Sequence, residues 1–357
     1  MPLNKSRCLK IPRTDGQAAI ELVRNLGIYD RNFRVEQTGN ELCIPLSRQP
    51  TKEEKKTLHR NFQVMELLVR DLPERIQRPT TFVDLLTDQI PPHLFASLPR
   101  SVDFIGDIAV LEISPELDAY KRKIGETMMI ADKRVRTVLA KASAISGVYR
   151  TRRFEVIAGE PRTDTVHREN GCQLYVDLSK AYFSPRLSSE HARIAKLVNE
   201  GETVIDMFAG VGPFAIQMAR RHEKVRVYAV DVNPDAVELL NKNIAVNKVL
   251  SKVTSSVGDV RGVVNEHLAG LADRVIMNLP EKAIEYVDVA CEAIKPTGGT
   301  VHYYAFTESS ESTSVAEVRL VEAVEKSHRK VDKIIGSRTV HATAPYTWQI
   351  GVDARIT

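Results

Sequence analysis

Four polar residues end predicted strands in the C-terminal half of the chain, and their types and spacing suit the capture of an adenosine group. Asp206 closes the apolar run 203–205, and Phe208, Gly210 and Gly212 follow it into a helical stretch at 213–221. The two glycines remove side chains where a ligand must approach, and the helix aims its free N–H groups at the crevice outside the strand ends. A nicotinamide fingerprint would put a third glycine where Ala215 stands, a common variant, so the turn alone does not choose a ligand. Asp231 ends the next run, VRVYAVDV, about twenty residues after the turn, the spacing from which a carboxylate accepts from ribose hydroxyls. Asn233, ahead of Pro234, is the better cap for the following helix and leaves Asp231, with Val232 beside it, to a ligand. Asp259, after Gly258, can accept from an adenine amino group while Val260 covers the ring. Asn278, in Asn278-Leu279-Pro280, is either a turn former or a ligand-facing amide.

These residues need a frame that brings strand ends to one rim. From residue 202 onward, strand and helix alternate through VRVYAVDV, VTSSVGDV, RVIMNLP and GTVHYYAF, which predicts a parallel sheet with right-handed crossovers. The last two strands, KVDKIIG and TWQIGVDARI, are joined by SRTVHATAPY with no helix between them, so they pair as a hairpin and leave one antiparallel strand in the sheet. We assign this domain to residues 171–357.

Ahead of it, residues 1–50 read as a small β-α-β-β module, with a strand CLKIP, an amphipathic helix at 16–26, and a hairpin turning at Thr38-Gly39-Asn40. Residues 51–80, flanked by Pro50 and Pro79, read as a helical linker. Its run Lys52, Lys55, Lys56, His59 and Arg60 is a solvated helix face or, less simply, an RNA contact. Residues 81–170 read as an α+β domain with a helix at 82–98, a strand at 104–111, a charged helix at 115–131 continued at 135–142, and strands divided by Gly159-Glu160-Pro161 and Asn170-Gly171. Arg150, Arg152, Arg153, Arg162, His167 and Arg168 alternate there with apolar residues, giving a cationic sheet face suited to phosphate or a plain exposed one.

The 357 residues are 43% apolar, enough for two or three cores, and the net charge of +4 with a pI near 8.7 fits a polyanionic partner without demanding one. Cys8, Cys43, Cys172 and Cys291 lie far apart with no CxxC pair, so no metal site or disulfide framework is expected. No apolar run reaches membrane-spanning length and MPLNKSRCLKIPR is not a secretory signal, so the expected compartment is the cytoplasm.

The strand-end signals together resemble a class I methyltransferase that uses S-adenosyl-L-methionine (AdoMet), a Rossmann-like α/β sheet with an antiparallel last strand, here preceded by two smaller α+β domains. Asn278-Leu279-Pro280 resembles the Asn-x-Pro motif of enzymes that methylate ring or exocyclic nitrogens. GCQLYVDLSKAYFSPRLSSEHARIAKLV, followed by ETVIDMFAGVGPFA, VYAVDVNP and VIMNLP, narrows the resemblance to the archaeal and eukaryotic tRNA (guanine-N1) methyltransferases, which act at position 37, just 3′ of the anticodon. The likeness covers about residues 80–357, and the leading module is more loosely similar to the archaeal enzymes' first domain, which touches the tRNA's outer corner.

This resemblance implies tRNA as partner and AdoMet as cofactor; no metal and no required protein partner are expected, and a monomer is expected with a dimer left open. Guanine N1 carries a proton that must leave before it can attack a sulfonium methyl, and charge then appears on O6. By the resemblance, Glu190 is the general base, Arg150 faces O6, Tyr182 lines the base pocket, Phe208 lines the methyl-transfer cleft, and Asn278 positions Glu190 or the base edge, with Pro280 shaping its loop. The residues themselves make Glu190 a first-turn acid of a helix and Arg150 an RNA-backbone contact, so both roles rest on the family. The family's cofactor-contacting arginine is replaced here by His191, an imidazole without a permanent cation. Rival readings are an AdoMet-dependent nitrogen methyltransferase of another RNA and a non-catalytic tRNA-binding protein.

Overall fold

The computed structural model describes residues 3–74, 82–86, 89–308, 313–344 and 346–357, in two units, Met1–Asp84 and Leu85–Thr357. In the first, β1 (Leu3–Pro12) leads to α1 (Gly16–Asn25), β2 (Glu36–Thr38), β3 (Glu41–Leu46), α2 (Lys52–Asn61) and β4 (Glu66–Pro73). The sheet runs β2-β3-β1-β4 and every pair is antiparallel. Leu9 and Ile11 of β1 pack with Ala19, Val23, Ile44 and Leu58, which is why the two helices share one face. The expected linker at 51–80 is therefore corrected in its larger part. Residues 66–73 form a strand along β1, and α2, with a Thr51/Glu54 capping box and only Leu58 buried, lies against the same sheet. Lys52, Lys56, His59 and Arg60 are exposed and Lys55 is half-buried, while 75–81 lie outside the described residues.

The short α3 (Phe82–Leu86) spans the boundary between the units, and the second unit continues with β5 (Val102–Ile105), β6 (Ile108–Leu111), α4 (Lys121–Ala131), β7 (Thr137–Lys141) and β8 (Phe154–Gly159), with sheet order β5-β6-β7-β8. Three expectations change here. The strand at 104–111 is two strands, because Gly106 adopts φ 56° and turns the chain back. The helix continuation at 135–142 is β7, whose β-branched Thr137 and Val138 lie between β6 and β8. Of the helix expected at 82–98, α3 and a 3-10 stretch at Pro92–Ser97 are seen, and 87–88 lie outside the described residues. The hairpin of β9 (Asp164–Glu169) and β10 (Cys172–Asp177) turns at Asn170-Gly171 as expected.

After α5 (Ser188–Leu197) comes the seven-stranded sheet. Its elements are β11 (Thr203–Asp206), α6 (Pro213–Arg221), β12 (Arg226–Asp231), α7 (Pro234–Val246), β13 (Val253–Val257), α8 (Val260–Val263), β14 (Arg274–Met277), α9 (Val287–Ala293), β15 (Gly299–Thr307), α10 (Thr313–Lys326), β16 (Val331–Ala344) and β17 (Thr347–Ile356). The order β13-β12-β11-β14-β15-β17-β16 reverses at β11/β14, and β17 alone runs antiparallel to its neighbour β15, as the missing crossover predicts. Apolar clusters cover both faces, one around Phe214, Leu240 and Ile244, the other around Met207, Val275, Val289 and Ile350. The four cysteines are free and buried.

Charged side chains also cross this core. Arg274 donates to Glu202 (2.8 Å) and to the Leu197 carbonyl (2.9 Å), and its third nitrogen meets His302 Nε2 at 2.7 Å. A guanidinium only donates, so His302 Nε2 is the acceptor and its proton sits on Nδ1, donated to Asp353 at 2.6 Å. Burial holds the His302 pKa below its usual value, in keeping with that neutral ring. Arg274→Ala leaves Glu202 without its main partner and is expected to destabilise the protein by about 3–5 kcal/mol, read from urea denaturation. A loss within about 0.5 kcal/mol, the range of an ordinary surface substitution, would show that the network does not hold the strands together.

Candidate active site

Parallel strands put their C-terminal ends on one rim, and a cavity of about 380 Å³ opens there. Its walls bring together Phe208, Gly210, Asp231, Val232, Asp259, Val260, Asn278 and Pro280 from four strand ends with His191, Tyr182 and Arg150 from the preceding segments. Glu190, Asp206 and Gly212 do not line it.

The glycine turn is fixed from the neighbouring strand. Asp231 Oδ2 accepts from the Gly210 N–H (2.7 Å) and Oδ1 from the Asn233 N–H (2.9 Å), so Asp231 is partly committed to backbone while each oxygen keeps a lone pair. Asn233 caps α7 through Asp235 N, as expected. Gly212 (φ 85°) is buried at the start of α6, where its left-handed backbone sets the helix direction. Asp259 caps the short α8 by accepting from Arg261 N (2.8 Å) and is otherwise exposed. Val260 is buried beside it. Phe208 meets Tyr286 edge to face at 5.2 Å, forming an aromatic wall.

Asp206 lies under this floor, fully buried, and neither carboxylate oxygen has a hydrogen-bond partner. Burial, and then the Asp231 charge, push its pKa up to about 7, with the Phe208 N–H opposing weakly and short of hydrogen-bond geometry. Burial also raises Asp231.

At the opposite wall, Arg150 sits in a tight loop with φ 55°. Its guanidinium pairs with Glu281 (2.7 Å) and lies 5.6 Å over the Tyr182 ring, itself half-exposed toward the opening. Asn278 Oδ1 accepts from Gln349 (3.0 Å), not from any group of Glu190, so the amide nitrogen is what it offers the cavity. His191 packs edge-on to Phe214 and holds Glu169 through Nδ1 (2.8 Å), with Gln217 donating to the same oxygen (2.7 Å). Burial would raise Glu169, but His167 at 3.7 Å and the bonded His191 bring it down to about 2. Sequence reasoning missed Glu169, Gln349 and Glu281.

Glu190 is placed elsewhere. Its carboxylate is buried and accepts a two-pronged grip from Arg193 (2.8 and 2.7 Å), the Tyr304 hydroxyl (2.7 Å) and Arg338 (3.3 Å). Arg193 and Arg338 also bind Asp353, joining this cluster to His302 and Arg274. Burial favours the neutral acid, but Arg193 and Tyr304 outweigh it and the Glu190 pKa is lowered. In this arrangement Glu190 cannot take a proton from a group in the cavity, and the expected contact between Asn278 and Glu190 is absent.

Asp206 yields a prediction with a definite sign. Its folded-state pKa near 7 exceeds the ordinary 3.8, so the penalty for burying it is absent below about pH 4 and grows as pH rises through 7. Asp206→Asn should therefore gain stability over the unliganded wild type as pH rises from 4 to 8, by up to a few kcal/mol, in denaturant titrations across that range. A pH-independent difference would show that Asp206 is not held near 7.

Residues 165–333 match the TRM5/TYW2 methyltransferase domain and residues 82–163 the TYW2 N-terminal domain. A protein of Pyrococcus abyssi named tRNA (guanine(37)-N(1))-methyltransferase Trm5b is 38% identical, with 98% of each chain covered. The solved complex of aTrm5 and tRNALeu matches with a TM-score of 0.71 and 32% identity over 100% of both chains. Methanocaldococcus jannaschii Trm5 in complex with adenosine matches with a TM-score of 0.63 and 31% identity over 98% of each. A sheet whose strand order turns back beside a glycine loop, a rim of carboxylates, and likeness along the full length of these relatives lead to one conclusion: the chain belongs to the TRM5/TYW2 family of methyltransferases.

Proposed function

We propose that the protein transfers a methyl group from AdoMet to N1 of guanine 37 in tRNA. The observation that carries this reading is the single cavity in which the strand-end carboxylates meet Arg150, Tyr182 and Asn278. The full-length relatives named for that reaction support the choice of substrate, and the M. jannaschii structure with adenosine supports an adenosine-bearing cofactor.

The residues fit AdoMet on the chemistry of the site. Asp231 would hold the ribose through the lone pairs it keeps, Asp259 the adenine amino group, Val260 and Phe208 the ring and cleft, and His191 the amino-acid portion. Asp206, unpartnered and held near neutrality, is an acid whose ionisation a positive charge above the floor would favour. When bound, AdoMet supplies an electrophilic methyl on a sulfonium. The protein's own work is to orient the purine against it, stabilise O6 and remove the N1 proton.

Tyr182 and Arg150 form the wall on which the purine would lie, and the nitrogens of Arg150 not held by Glu281 would donate to O6 as charge develops there. Glu190 remains our candidate for the base on one condition. Its carboxylate must leave Arg193 and Tyr304, which tune it toward a weak, ionised base; release into the cavity would strengthen it.

Glu190→Gln should lower turnover roughly a hundredfold or more while AdoMet binding by calorimetry is kept. Unchanged turnover with a fall in thermal stability would make Glu190 a structural anion instead. Asp231→Asn should weaken AdoMet binding about 10- to 100-fold, the worth of a charge-assisted hydrogen bond. The reading as a whole is tested by mass-spectrometric mapping of tRNA methylated in vitro, where modification at any position other than N1 of guanine 37 would overturn it.

A further inference from the structure

A second cavity, of about 190 Å³, shares Arg150, Tyr182, Phe306 and Thr343 with the wall of the first. We propose that it is a phosphate subsite that holds the RNA phosphodiester adjacent to the target purine, with Arg152 and His341 as its donors. This rests on the functional reading above and adds to it a backbone contact that the methyl-transfer chemistry does not require.

The charge in this cavity is lopsided. Lys141, Arg150, Arg152 and Arg186 line it, against two lining carboxylates among the described residues, Asp103 and Glu281. Each carboxylate is already taken, Asp103 by two bonds from Arg186 (2.7 and 3.1 Å) and Glu281 by Arg150 (2.7 Å), while Lys141 is held from the rim by Glu112 (3.0 Å). Arg152 is half-buried and, among the described residues, has no hydrogen bond or ion pair. His341 Nδ1 is sealed from solvent and also lacks a partner. A half-buried guanidinium with no bonded anion, its charge felt only at a distance by Glu112, which Lys141 already holds, stands beside an imidazole that lines the same cavity and has an unpaired Nδ1 among the described residues, and together they mark a place that a ligand oxyanion would complete.

The ligand's class follows from charge and connection. A planar fork of N–H donors beside an imidazole suits a tetrahedral oxyanion. The wall shared with the base cavity means that a nucleotide whose purine rests on Tyr182 would direct its sugar-phosphate toward this side. Target bases that are extruded from a loop leave their flanking phosphates to be held by such contacts.

The test uses full-length tRNA carrying one neutral methylphosphonate at each linkage flanking guanine 37, assayed for kcat/KM with the wild type, Arg152→Ala, Arg152→Lys and His341→Gln. We expect one linkage at which neutralisation costs the wild type about tenfold or more but changes Arg152→Ala less than twofold. On unmodified tRNA, Arg152→Ala and His341→Gln should raise KM, Arg152→Lys should keep most of the wild-type value, and AdoMet affinity should be unchanged throughout. The slope of log KM against log salt should fall by about 0.7 in Arg152→Ala. Additive losses at every linkage, or Arg152→Ala matching the wild type, would overturn the subsite. The methylphosphonate arm on the wild type alone decides the matter if Arg152→Ala does not fold, since tolerance of every neutral linkage also overturns it. A wild type inactive on unmodified tRNA would instead bring down the functional reading and this inference with it.

Discussion

The site hangs on the hydrogen bond from the Gly210 amide to Asp231. That contact ties the end of β12 to the turn leaving β11, next to a backbone bond from Ala209 to Val230 (2.9 Å). Together they hold the glycine loop open at the switch of strand order, where a ligand has room. Beneath that loop Asp206 lies buried with no hydrogen-bond partner for either oxygen and is set against the Asp231 charge. Asp206 is thus kept in a dry place at a cost that a proton, or a positive or donating group brought near it, relieves.

The large sheet was legible because its signals are local. Most of its strands are short apolar runs closed by a polar residue, Asn233 announces one of the helices as a cap, and a parallel sheet places all such endings on one edge without any distance being known. That is why Asp231, Asp259 and Asn278 come to one cavity although 28 and 19 positions separate them in turn. The missing helix between the last two strands likewise gave away the antiparallel β17. The front of the chain was harder. Residues 66–73 are strand only because β1 offers an edge, and 137–141 only because β6 and β8 lie on either side. Local propensity is a weak guide where a tertiary partner decides.

Glu190 shows the limit most clearly. As a first-turn acid it satisfies a helix start, and as a relative's counterpart it is a base, and neither view reveals Tyr304 and Arg338, which lie 114 and 148 positions away. Arg193, three residues on, was visible as a helix pair, and weighing it would have pointed to a held carboxylate. His191 was noticed as a departure, but its anchor on Glu169 comes from a hairpin 22 positions earlier. Such buried polar clusters make an acid's location a property of the assembled sheet rather than of its own helix.

The placing of β17 between β15 and β16 has a consequence for how the domain is made. Every strand that β17 joins precedes it in sequence, so a nascent chain can assemble β11 to β15 while the ribosome still holds the residues that close the sheet. During that interval the β15 edge is bare and Arg193 and His302 wait without Asp353. The ion cluster that grips Glu190 is therefore among the last parts to form, and its completion reports that translation of the domain has run its full course.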